Sequence, residues 1–473
     1  MIKTRQPPGL FYAWSRHPMQ DYLPRRTKRQ QMQRRLRYLY LSAAQWRRQV
    51  PVWIAAILIG LVAYVFALGS HLSHDLFFKA YDASPYWSLL ITPAGLALAI
   101  WIMHRFFPGS AGGGIPQSIA ALEPGMEKLR EYCFTLRAAF GKVVLTLLGI
   151  SSGATFGYEG PIVQVGAAIK YSLNRKAAQR HEGAARSFIL AGAAAGVAAA
   201  FNAPLAGIMF AIEEMGRIFD MRAGSTILLS VIVAGLTTFA INGNYSYFGI
   251  VHVAMESKQA WLAVPLCGVL GGIIGGLACR VLLALSQRLP GPLHGWRAKQ
   301  PILFAAGCGL ALAVIGIASQ GSTFGTGYFR ARDIIEGHGA GLQDYGILKL
   351  ISMFISHISA VPGGMFAPSL AVGAGFGLNM SQLLPFLPQA MVVLLGMVGF
   401  FAGMTRAPMT GFVIVMEMTD SSDMLIPLMA TALLAASVSR LLTRRALYEG
   451  QVRLFLPQWH AKAGQIDQPP ART

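Results

Sequence analysis

The sequence predicts an all-α integral membrane protein built of two repeats with re-entrant and broken helices, and three observations predict it. Of its 473 residues 54% are hydrophobic and only 13% charged, with a mean hydropathy of +0.48, whereas soluble domains carry about 25% charged residues. Several apolar stretches are cut by glycine and proline before reaching the roughly 20 residues that a spanning helix needs. A set of motifs then occurs twice, in one order. The net charge of +20 raises nucleic acid as a partner, but the Lys and Arg lie outside the apolar segments, as the bias of cytoplasmic loops predicts, and no nucleic acid is expected. Cys133, Cys267, Cys279 and Cys308 are scattered without a C-x-x-C pair and read as packing residues, with no metal site or cofactor implied.

Residues 1–50 carry twelve Lys and Arg against one acid, Asp21. They read as a basic cytoplasmic arm attracted to anionic lipid, without a cleavable signal. Val52–Leu68 and Trp87–Phe107 are the first spanning candidates; His104, beside Arg105 at a segment end, reads as interfacial. Gly112-Gly113-Gly114-Ile115-Pro116 follows. Three glycines let backbone amides approach an ion closely, because no Cβ intervenes. An apolar segment from Phe140 to Ile150, interrupted by Lys142, leads to Gly157-Tyr158-Glu159-Gly160-Pro161.

Pro161, followed by Ile162, Val163 and Val165, marks a first helical turn, so the helix starts at Glu159 or Gly160. Its first amides lack intrahelical partners and favour an anion, either a mobile ion or the tethered carboxylate of Glu159. Two readings stay open from this motif: Glu159 competes with an ion, or it caps its own helix.

A basic loop with Lys170, Arg175, Lys176, Arg180 and Arg186 is expected on the cytoplasmic side. About thirty residues separate it from Arg217 and Arg222, split by Asn202-Ala203-Pro204 into two pieces each too short to cross. This predicts a re-entrant hairpin whose second arm, Leu205–Met215, returns Glu213 and Glu214 to the cytoplasmic face. Residues 225–241, 261–286 and Pro301–Ala318 are further membrane segments, followed by a polar stretch from Ser319 to Gln343.

The first half then recurs. Ala203-Pro204-x-x-Gly207 with Glu213 nine residues after the proline matches Ala407-Pro408-x-x-Gly411 with Glu417 at the same distance. Gly157-x-x-x-Pro161 matches Gly364-Met365-Phe366-Ala367-Pro368, each about forty residues before its Ala-Pro. Interrupted segments with internal symmetry are the pattern of repeat-built transporters, whose site lies where the broken helices meet. A shared role, such as satisfying a buried turn, explains Glu213 and Glu417; Glu214 corresponds to Met418 and is left unexplained.

The order and residues of these pieces, from about Val52 to Tyr448, resemble the CLC family of chloride channels and proton-coupled chloride transporters. Gly112–Pro116 stands for the family's G-S-G-I-P, Gly157–Pro161 for G-R-E-G-P and Gly364–Pro368 for G-x-F-x-P; Ala193–Glu214 and Arg406–Asp420 add to the likeness. The resemblance implies a CLC-type fold of two inverted-topology repeats over residues 51–448, with one repeat at about 51–245 and the other at about 260–448, and a short cytoplasmic tail over 449–473. It further implies a bacterial homodimer in the inner membrane with both termini cytoplasmic, lipid around it, and no cytoplasmic paired nucleotide-binding-type domains. Each subunit would hold its own anion path, with chloride and protons as substrates. Backbone at Gly113, Gly114, Ile115, Gly160, Met365 and Phe366, with the Tyr448 hydroxyl, would face the anion; Glu159 would be the gating carboxylate and Glu214 the internal proton station.

Two residues depart from the family pattern. Gly113 stands where serine is usual, removing a hydroxyl donor, which bears on discrimination between chloride and nitrate. Tyr158 replaces the arginine before the gating acid and removes a fixed positive charge. The expected function is exchange of chloride for protons. The alternatives are a passive voltage- or proton-gated chloride channel, an exchanger of nitrate or another anion, and a membrane enzyme using Glu159 as acid or base. The last lacks any nucleophile–base pair. Another reading of Glu214 is a solvated acid pairing with Arg217.

Overall fold

The computed structural model describes residues 43–216, 224–243, 246–251, 253, 255 and 258–466. The chain divides into residues 1–50 and a compact unit from Pro51 to Thr473. The basic arm, apart from the residues that open the first helix, lies outside the described residues, as do Arg217, Arg222 and residues 467–473. Among the described residues all regular structure is helical, and the one β-type feature is an isolated antiparallel bridge between Gly157 and Gly364.

The first half holds α1 (Ala43–Ala83), α2 (Ser88–Phe106), α3 (Ile115–Ala120), α4 (Glu127–Cys133), α5 (Leu136–Ser151), α6 (Glu159–Leu173), α7 (Arg175–Ala178), α8 (Glu182–Phe201), α9 (Pro204–Glu213) and α10 (Gly224–Asn242). The second holds α11 (Ala263–Gln287), α12 (Leu293–Lys299), α13 (Pro301–Ala318), α14 (Tyr328–Ile335), α15 (Tyr345–Ile358), α16 (Phe366–Leu383), α17 (Gln389–Thr405), α18 (Pro408–Thr419), α19 (Leu425–Leu442) and α20 (Leu447–Ile466). Seven described helices are long and apolar enough to cross a membrane, or eight if α4 and α5, bent by 51°, form one span. Four more, among them α9 and α18, are apolar but short. The four cysteines are buried and unpaired.

Three sequence expectations need correction. The first span does not stop at Leu68: α1 runs on to Ala83, because His71, His74 and Asp75 end the apolar run without breaking the helix, which Ser84-Pro85 does. Lys170 is not in a solvated loop. It lies in the last turn of α6, fully buried, and its ammonium donates to the Val52 carbonyl at 2.6 Å. The first arm of the hairpin is not too short, since α8 recruits the polar turn from Glu182 and reaches 20 residues. Only the second arm, α9 at 10 residues, cannot cross.

The two halves repeat one plan. α8 and α17 both end in a non-glycine residue in the left-handed region, Asn202 at φ 53° and Arg406 at φ 60°, and each is followed by Ala-Pro and a short helix. With proline at their first positions, α9 and α18 leave the next two amides without intrahelical acceptors. Each half fills the other's vacancy. Glu213, ending α9, accepts from the amides of Met409 (3.0 Å) and Thr410 (2.7 Å), while Glu417 in α18 accepts from those of Leu205 (3.1 Å) and Ala206 (2.7 Å). The reciprocal caps lock the two hairpins together and account for the acid shared by the repeats. Either Glu213→Gln or Glu417→Gln keeps one acceptor oxygen and turns an NH2 on an amide donor. Each should cost about 1–2 kcal/mol. The check is the thermal unfolding midpoint of the purified protein; an unchanged midpoint in both variants would refute the locking role.

Candidate functional site

Three glycine loops meet at the centre. The Gly157 amide donates to the Gly364 carbonyl and the Gly364 amide returns the bond to Gly157, both at 2.8 Å. These are the matched glycines of the two repeats, so the symmetry seen in sequence closes on itself here. A Cβ on Gly160 would lie 2.8 Å from the Gly113 carbonyl oxygen and 3.0 Å from the Gly364 Cα. Only glycine permits backbones to approach so closely. The arrangement brings the N-termini of α6 and α16 together with the Gly112–Gly114 loop, and the first-turn amides of both helices have no intrahelical acceptor.

Lys142, which interrupts an otherwise apolar helix, explains how the loop is oriented. Fully buried in α5, its ammonium donates to the carbonyls of Gly112 (2.7 Å) and Ala111 (3.3 Å). Carbonyls held by an ammonium are kept from an anion that would be repelled by them. Gln117 completes the turn, its side-chain oxygen accepting from the Gly114 amide at 2.9 Å. Sequence reading missed the counterpart of Lys142. Lys349 in α15, equally buried, donates to the carbonyls of Thr323 and Gly325, both at 2.8 Å. The signal was present: Lys142 precedes Gly157 by the same 15 residues that separate Lys349 from Gly364.

A cavity of about 380 Å³ opens beneath the loops, lined in part by Gly113, Ile115, Gly160, Met365 and Tyr448. Five of the seven expected anion-facing residues therefore share one wall. Gly114 and Phe366 adjoin it without lining it. The Tyr448 hydroxyl is buried and has no hydrogen-bond partner among the described residues, the state of a donor left for a ligand. Arg297, His104 and His357 also line the cavity, the last with Nε2 3.0 Å from the Ser286 hydroxyl. His104 thus stands at the cavity's edge, exposed, in the last turn of α2.

Glu159 opens α6 and is 1% exposed. Gly160, on one side of it, lines the 380 Å³ cavity; Tyr158, on the other, lines a separate small pocket with Tyr247, His71 and His74. Glu159 lines neither. It stands between them. Its Oε1 accepts from the Tyr247 hydroxyl at 3.4 Å, amides of Glu159 and Ala367 lie nearby, and Oε2 is buried without a hydrogen bond of normal geometry. Tyr247 was not legible from the sequence, because it sits in an irregular polar connection between the halves and belongs to no repeated motif. Tyr158 is buried, its hydroxyl donating to the Ala200 carbonyl at 3.2 Å and its ring 5.5 Å from that of Phe66.

Glu214 does not join this site. It caps α9 and lines a second cavity of about 430 Å³ with Glu123, Arg406, Glu449 and Arg453. Its proposed pairing with Arg217 falls on a residue outside those described. Tyr448 lies within electrostatic reach of both Glu214 and Glu159.

Residues 94–440 match the family model described as voltage gated chloride channel. The chain belongs to the CLC family. Among its CLC relatives is the H(+)/Cl(-) exchange transporter ClcA of Vibrio vulnificus, 30% identical over 84% of this chain and 87% of the relative. That of Vibrio cholerae is 31% identical over 88% and 91% respectively. The fold is similar to that of a slow cyanobacterial Cl-/H+ antiporter, with a TM-score of 0.76 at 23% identity over 87% of this chain and 98% of the other. A CLC-type fluoride/proton antiporter gives 0.71 at 21% identity over 87% and 99%. The CLC fold of two inverted repeats, expected from the sequence, is thereby established.

Proposed function

We propose that this protein exchanges chloride for protons across the membrane, each subunit of a homodimer holding its own path, with Glu159 as the gate between the inner cavity and the outer pocket. One observation carries the reading: a buried carboxylate, with one oxygen lacking a hydrogen bond, occupies the point where two helix N-termini and a glycine loop converge. Such a point attracts an anion, and the carboxylate is a tethered one. Chloride and ionised Glu159 compete for it; protonated Glu159 gives it up. Transport of chloride is then tied to the protonation of its competitor. The exchange transporters named among the relatives favour coupling over passive conduction. The basic arm favours cytoplasmic termini in a bacterial inner membrane, with anionic lipid against the arm.

The test is reconstitution of the purified protein in lipid vesicles under a chloride gradient. Proton movement driven uphill by chloride is the expected result. Anion flux without it means a channel, and no anion flux ends the proposal.

Gly113 bears on the choice of anion. Gly112 and Gly114 flank it at φ 80° and 98°, yet Gly113 is not in the left-handed region, and a Cβ there would meet only the Gly363 carbonyl oxygen at 3.3 Å. Gly113→Ser is therefore tolerated by the backbone, and it would restore a hydroxyl at the cavity wall. The variant should raise chloride transport relative to nitrate, since the added donor favours the more strongly hydrated ion, by about 1 kcal/mol or roughly fivefold. Equal chloride-to-nitrate flux ratios before and after the change would refute it.

A further inference from the structure

Aromatic rings cover Glu159 on the side of the small pocket that Tyr158 and Tyr247 line. Tyr247 packs on Tyr328 (ring centroids 4.7 Å), Phe248 (5.1 Å) and Phe201 (5.9 Å). The Tyr247 hydroxyl donates to the carboxylate, and Tyr158 lines the same small pocket beside it. Behind the two tyrosines lies the small pocket, about 10 Å³, close to the smallest space that holds a water. Its outer wall is formed by His71 and His74, one helical turn apart on α1. His74 also lines a larger hollow of about 310 Å³ with Arg330 and Asp333. One imidazole thus stands between an outer hollow and a pocket that ends at the hydroxyl on Glu159.

We propose that His74, with His71, is the outer proton relay to Glu159, passing protons through the small pocket and the Tyr247 hydroxyl. The inference rests on Glu159 being the gating acid. Imidazole takes a proton on one ring nitrogen and releases one from the other. A water in the pocket hands the proton on. The Tyr247 oxygen accepts it as the hydroxyl's own proton passes to Oε1, which leaves the tyrosine neutral and Glu159 protonated. Asp75, next in α1, and Arg330, Lys349 and Tyr328 from the facing elements set the field at the two rings. His74 is held between Phe78 (4.4 Å) and Phe329 (4.6 Å, stacked), so its orientation is fixed by packing.

The experiment compares His71→Asn with His74→Asn as a double variant, and Tyr247→Phe separately, each in the native chain and in Glu159→Gln, in vesicles under a chloride gradient. In the native chain, coupled proton movement should fall about tenfold in both variants, short of the 10²–10⁴ of a positioned acid or base because water still reaches part of the way. In the Glu159→Gln background the same changes should leave passive anion flux within about twofold, which shows that the path is still folded. Unchanged proton movement in both variants overturns the relay. So does an equal loss of anion flux in the Glu159→Gln background, which would mark the rings as structural. Glu159→Gln that still couples protons overturns the gating role itself, and is read from that single variant alone.

Discussion

Glu214→Gln should leave chloride flux running while coupled proton movement disappears. The acid stands at the end of α9, half-buried, facing the second cavity and not the one that Gly113 and Tyr448 line. Its neighbour Glu213 is committed to capping α18, so one acid of the pair is structural and the other is not needed for that purpose. The repeat confirms the distinction. Glu417, the partner of Glu213, makes the reciprocal cap, whereas Met418, the partner of Glu214, is fully buried and apolar. Glu214 therefore stands outside the reciprocal caps, on the wall of a second cavity. Tyr448, on the anion cavity, lies within electrostatic reach of Glu214 on one side and Glu159 on the other. Glutamine keeps the shape and removes the proton. Proton uptake driven by a chloride gradient should fall to background, about a hundredfold, the scale of losing a positioned proton donor, with anion flux changed by less than about threefold. Proton pumping that survives the change would return Glu214 to the role of a solvated acid.

Much of the local structure around Glu159 and Glu213 was legible in the sequence, and the reasons are physical. Proline at a first helical turn fixed the starts of α6 and α9 to within a residue, because its missing N–H is costless there alone. The repeat identified Glu213 as structural, since a cap must be supplied wherever the same helix start recurs. Contacts between loops were not legible. Nothing local to Tyr247 says that its hydroxyl meets Glu159, and nothing local to Lys170 says that it bonds the Val52 carbonyl; both depend on segments about 90 to 120 residues apart coming together. Buried lysines mislead a hydropathy reading for the same reason, because a carbonyl partner distant in sequence makes a charge tolerable in an apolar helix. The end of α1 was misplaced because loss of hydrophobicity was read as loss of helix.

Glu159→Gln should conduct anions with little dependence on external pH and no proton coupling. The native carboxylate sits between two cavities, and its charge satisfies the converging amides as an anion would. Removing that charge by protonation weakens its hold on the site and admits chloride, so external acid should speed transport in the native protein. The sign follows directly: protons on Glu159 and chloride in the site favour each other, and by linkage raising either raises the occupancy of the other. Glutamine is fixed in the neutral state and cannot respond. The opposing account is a glutamate that only caps its helix. In that case the change costs about 0.5–2 kcal/mol of stability and leaves the pH dependence of flux as it was. Structure weighs against this, because an acid that only caps its own helix has no use for partners beyond its first turn, whereas Oε1 also takes the Tyr247 hydroxyl and the Ala367 amide of the other repeat lies against the carboxylate. Anion flux measured against external pH for the native protein and Glu159→Gln separates the two accounts. A flat profile in the variant beside an acid-activated native profile assigns the gate to Glu159, and parallel profiles with coupling retained assign it elsewhere.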